Sequence, residues 1–148
     1  MSTIEMEHAE LQRFEGVWVG TELVSEADPP YQASARLVFQ SVFDGRFLLC
    51  DYVQTSPDRR TSVGHGVFRR DDRTNALAVT WFRSPAASPS QQADASTEGD
   101  NLVFIETIAG RMTRTSYSIA LDRMSVRTDC MGSGGEWTPI FEGSYRRR

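Results

Sequence analysis

The chain has 148 residues, 39% of them hydrophobic, which matches one domain with a full core, residues 1–148. A net charge of −4, with only the short basic run YRRR at the end, excludes the electrostatic footprint of a nucleic-acid binder. No stretch approaches the about 20 apolar residues of a membrane span, and MSTIEMEHAELQRF lacks the basic end and apolar run of a signal peptide, so a cytoplasmic protein without a membrane partner is expected.

Helical periodicity is confined to the start. Residues 1–15 are predicted as a short N-terminal helix, with Ser2 and Glu5 as a capping box, Ile4, Leu11 and Phe14 on one face, and Gly16 as the stop. His8 lies on that same side and is assigned to packing or to the surface. Residues 16–148 then read as short β-rich runs divided by turn residues. VWVGTELVS precedes YQASARLVFQSVF and FLLCDYVQTS, the latter two forming a hairpin around Asp44 and Gly45. TSVGHGVFRR and ALAVTWFRS flank the turn DDRTN, and NLVFIETI, RMTRTSYSIAL, RMSVRTDCM and EWTPIFEGSYRR follow. The soft stretch from Ser84 to Asp100 is read as a weak strand near Gln91 to Glu98. About ten antiparallel strands joined by tight turns, with no crossover helices, predict an all-β, closed up-and-down barrel. Its apolar face includes Leu77, Val79 and Trp81, and Tyr117, Ile119 and Leu121. A barrel of this size is either packed solid or holds one small ligand.

Several chemistries have no support. All basic side chains are arginine, so Schiff-base catalysis and covalent pyridoxal phosphate are excluded for want of a lysine. Cys50 and Cys130 are expected as two buried thiols, and the scattered cysteines and histidines form no metal-ligand set. MGSGGEW is a glycine-rich turn, since it is neither a nucleophile elbow nor a phosphate loop.

Gly16-Val17-Trp18 after a short helix, with FEGSYRRR at the other end, resembles the opening and closing strands of the lipocalin-like, or calycin, barrels. The resemblance implies that Gly16 and Trp18 belong to the barrel closure, with Arg146 or Arg147 stacked across the Trp18 ring. Gly45-Arg46-Phe47-Leu48, Gly64-His65-Gly66 and Thr80-Trp81-Phe82 are similar to a group of small bacterial lipocalin-like proteins forming a domain of unknown function. There is a more distant similarity to nitrobindin, which holds haem through a histidine near its C-terminus. This chain has no histidine beyond His65, so haem would need His65 or Met131 as its ligand, and no cofactor is expected.

The candidate ligand-binding residues are His65, Trp81, Arg83, Tyr52, Glu106 and Tyr117. His65 alternates with Val63 and Val67 and faces inward if they do, either as a buried hydrogen-bonded histidine or as a ligand contact. Gly64 and Gly66 leave the opposite face bare, so a ring or a backbone should pack closely there. Trp81 and Arg83 share one face of the next strand, and an aromatic, an imidazole and a guanidinium suit an apolar ligand bearing an oxygen group. The expectation is a non-enzymatic carrier or sensor of a small apolar or amphipathic molecule, with no assigned catalytic residue. The alternatives are an isomerase or lyase using His65 with Glu106 or Asp51, and a packed barrel serving as an interaction module. Each is compatible with a homodimer.

Overall fold

Residues that alternate between an apolar and a polar face build a sheet with one dry side, and here that sheet curls until its first and last strands pair. The structure, a computed structural model, describes residues 11–70, 73–74, 76–84, 92–98, 101–108 and 110–148, with the backbone alone at 92–98 and 108. Its strands are β1 (Gly16–Val24), β2 (Tyr31–Val42), β3 (Phe47–Thr55), β4 (Thr61–Arg70), β5 (Leu77–Ser84), β6 (Gln92–Glu98), β7 (Asn101–Ile108), β8 (Arg111–Ala120), β9 (Arg123–Met131) and β10 (Trp137–Arg147). Each strand pairs antiparallel with its sequence neighbours, and β1 pairs with β10, from Trp18 opposite Arg147 to Val24 opposite Phe141. Closure takes every strand into a ladder on both sides, although the β5–β6 ladder spans only Leu77 to Thr80 of β5 among the described residues. The weak strand expected near Gln91 to Glu98 is β6, with Gln91 itself outside the described residues.

The base of the barrel is solid. Trp18 is fully buried, its indole N–H donates to the Phe14 carbonyl at 2.8 Å, and the Arg147 guanidinium lies 4.3 Å from its ring centre. Arg147 also donates to the carbonyls of Glu15 and, at 2.9 Å, Arg13. Gly16, at a φ of +128°, makes room for this, because a Cβ there would lie 3.1 Å from Arg147 Nη1. Arg147 therefore occupies the position for which Arg146 was the other candidate, and Arg146 is exposed. Above this plug, Phe68 meets Phe39, Trp81, Phe104 and Tyr117 with ring centres 5.7 to 6.0 Å apart, geometry that contributes about 1 kcal/mol per pair beyond burial.

The helix predicted over 1–15 falls mostly outside the described residues, including Ser2, Glu5 and His8, while Leu11 and Phe14 are buried against the barrel base. Leu121 does not join the interior with Tyr117 and Ile119; it is 92% exposed in the β8–β9 turn at a φ of 57°. Pro139, which has no amide hydrogen for the ladder, sits beside a register shift between Pro139 and Phe141, so Ile140 is the extra residue of a bulge in β10.

Candidate functional site

Strand parity decides what the interior contains. Trp18, Gly20, Glu22 and Val24 follow one another at steps of two along β1, as do Leu48, Cys50, Tyr52 and Gln54 on β3, and Val79, Trp81 and Arg83 on β5. Several interior positions are small, among them Ala33 and Ala35 on β2, Gly64 and Gly66 on β4, and Gly143 on β10. Two of the glycines act as shelves for rings. A Cβ on Gly66 would lie 2.9 Å from the Trp81 indole, and one on Gly143 would lie 2.1 Å from the Tyr145 hydroxyl. Both rings thus lie against the wall and leave space along the axis. The result is a cavity of about 360 Å³, within the range of small-molecule sites. Leu37, Val79, Phe104, Val126 and Phe141 contribute its apolar lining.

At one wall stands Glu22, which is 1% exposed. Its Oε1 accepts from the Tyr52 hydroxyl at 2.5 Å and from the Gln54 amide at 2.8 Å, and its Oε2 accepts from the Tyr145 hydroxyl. Burial and the Glu22 charge push both phenols far above their usual range, so Tyr52 and Tyr145 stay protonated and donating. Burial pushes the Tyr117 phenol up in the same way. Elsewhere on the lining, Glu106 is half-buried, and burial raises its carboxyl against the opposing pull of the Arg83 guanidinium. Arg83 is exposed and lies 5.2 Å from the Trp81 ring centre.

Of the six residues singled out from the sequence, Tyr52, Trp81, Arg83, Glu106 and Tyr117 line this cavity and His65 does not. His65 shares a face with Val63 and Val67, as strand periodicity requires, and that face is the outer one, where Val63 is 47% exposed, so His65 is not a cavity residue. The His65 ring is partly exposed, and its Nδ1 lies 2.8 Å from Asp51 Oδ1 on the paired strand. An enzyme using His65 inside the barrel therefore has no geometry to work with. Gly64 and Gly66 take the inward positions, and the ring expected to pack against them is Trp81. Neither His65 nor Met131, the two side chains considered as haem ligands, is among the described residues that line the cavity. Cys50 and Cys130 are both free and buried, and burial pushes the Cys50 thiol far up, out of reach of ordinary thiolate chemistry.

Glu22, Gln54 and Tyr145 escaped the sequence reading. The available signal was parity: two steps of two from Trp18 reach Glu22, and one step back from Arg147 reaches Tyr145.

A family model described as "Protein of unknown function (DUF1579)" matches residues 3–147. Among solved structures, the crystal structure of Rv2717c from M. tuberculosis superimposes with a TM-score of 0.67, covering 94% of this chain and 97% of that one at 16% identity. At that identity the likeness concerns the fold alone. No curated protein matches the chain.

Proposed function

Since the chain belongs to the DUF1579 family of proteins of unknown function, we propose its role from the site itself: it is a non-enzymatic carrier or sensor of a small, largely apolar molecule held inside the barrel. The observation that carries this reading is the cavity of about 360 Å³, walled by aromatic and aliphatic side chains with a few convergent polar groups. A barrel evolved only for stability would fill such a volume, because cavities of this size cost several kcal/mol at about 24 cal/mol per Å³. Carriage is favoured over catalysis because the best-placed acid–base pair, His65 with Asp51, stands outside the cavity.

The test is native mass spectrometry of the protein as purified from cells, followed by denaturing extraction and an absorbance scan. The expected result is a substoichiometric to stoichiometric mass adduct that extracts as an apolar or amphipathic molecule and that is lost in Trp81→Ala. A Soret band would instead identify haem, and conversion of the extracted molecule on incubation with fresh protein would make the chain an enzyme. Either outcome overturns the proposal, as does a protein that carries no adduct and takes up no apolar probe.

A further inference from the structure

The polar node at Glu22 is richer in acceptors than in donors. The hydroxyl hydrogens of Tyr52 and Tyr145 are both spent on the carboxylate, as is one amide hydrogen of Gln54, and the Gln54 carbonyl oxygen lies 3.5 Å from the Tyr31 hydroxyl. An ionised carboxylate offers about four acceptor positions and a phenol that donates keeps its lone pairs, so the node still presents acceptors to the cavity. Three neutral donors hold Glu22 in place without cancelling its charge. Among the described residues, none of the ion pairs includes Glu22. Among the described residues, the lining carries two carboxylates, Glu22 and Glu106, against one guanidinium, Arg83, which is exposed and stacked on Trp81.

A buried carboxylate with no cationic partner is costly, and proteins keep one where a ligand supplies the missing charge. Resting on the carrier reading above, we infer that the natural ligand carries a protonated amine at its inner end, which donates to Glu22 while its hydrocarbon lies among Trp81, Phe104 and Phe141. The aromatic walls fit this as well, since the faces of Trp, Tyr and Phe attract a desolvated cation. A bare metal ion is a poor alternative. It would have to displace the phenols from Glu22, and among the described residues no further group of acidic, histidine or cysteine side chains gathers to hold it.

Three probes that share a hydrocarbon body separate the possibilities: phenethylammonium, phenethyl alcohol and phenylacetate, titrated into the full chain and followed by calorimetry and tryptophan fluorescence. The expected result is that phenethylammonium binds at least about tenfold tighter than the other two, and that Glu22→Gln, shown by circular dichroism to be folded, abolishes this preference. Tyr145→Phe, which keeps the ring and removes one donor, should preserve the preference for the cation. The order of affinities in the unmodified chain is decisive by itself if Glu22→Gln does not fold. Equal binding of all three overturns the amine and leaves the carrier reading standing. Tighter binding of phenylacetate overturns the amine in favour of an anion anchored by Arg83. No binding by any of the three overturns both readings.

Discussion

Two buried carboxylates in this barrel are treated in opposite ways. Asp129 on β9 is 2% exposed, and its oxygens meet the Arg114 guanidinium at 3.2 Å and the Arg127 guanidinium at 2.8 Å. Arg114 is further fixed over the Trp137 ring at 4.3 Å. Glu22 on β1 is buried as deeply but is met by two phenols and an amide, with open space beside it. A carboxylate neutralised on the spot is part of the scaffold. One held in place by neutral donors and left facing a cavity is a charge kept for something outside the chain.

Alkali should separate these regions most strongly. Tyr52, Tyr117 and Tyr145 are held protonated by the fold well above the ordinary tyrosine value of about 10, whereas arginines do not titrate in this range. Below about pH 10 this contribution is fully present. As pH rises further, the unfolded chain releases protons that the folded barrel retains, so stability falls by up to about 4 kcal/mol per pH unit for three phenols. Tyrosinate absorbance of three of the four tyrosines should therefore appear together with loss of the barrel circular dichroism. Ionisation of Tyr52 and Tyr145 near pH 10 in an intact barrel would show that these two phenols are not locked to Glu22.

Removing both partners of Asp129, in Arg114→Met with Arg127→Met, should cost about 3 kcal/mol in urea unfolding by stranding a buried charge, with probe binding in the cavity unchanged. A loss below about 1 kcal/mol would mean that Asp129 tolerates lone burial and would remove the contrast. Gly143→Ala should cost about 2 kcal/mol, because the new methyl occupies the place of the Tyr145 hydroxyl and drives that donor off Glu22. Its effect on cavity binding should accompany the loss of stability; unchanged binding would show that Tyr145 does not help to present Glu22. The smallest effect is expected from His65→Ala, within about 0.5 kcal/mol and without change in binding, as for most polar contacts on an exposed face. A large effect there would place function on the outer face.

The strands were legible because turn residues and alternating faces are local signals, and closure followed from the absence of crossover helices. The close approach at Gly66 was legible for a similar reason, since a glycine in a strand marks a face on which something packs. Parity could group His65 with Val63 and Val67 but could not say which side of the sheet was dry, because valines serve on either. Phe68, buried one position beyond Val67, was the better indicator. Whether the barrel was hollow depended on where two rings lie, Trp81 against Gly66 of the neighbouring strand and Tyr145 against Gly143 two positions before it on β10, and strand parity does not give the direction in which a ring tilts. Glu22 was missed although its distance from Trp18 placed it inside, because a glutamate in an otherwise amphipathic strand reads most simply as part of the wet face.

The most direct test of the account is the urea unfolding free energy of Glu22→Gln beside the unmodified, ligand-free chain. Glutamine keeps the shape and an acceptor oxygen for the phenols while deleting the charge. The variant should be as stable as the original or more stable, by about 1 kcal/mol, because a charge held for a ligand is a liability when the ligand is absent. A loss of more than about 2 kcal/mol would show that the Glu22 charge is structural, like that of Asp129, and would contradict the account.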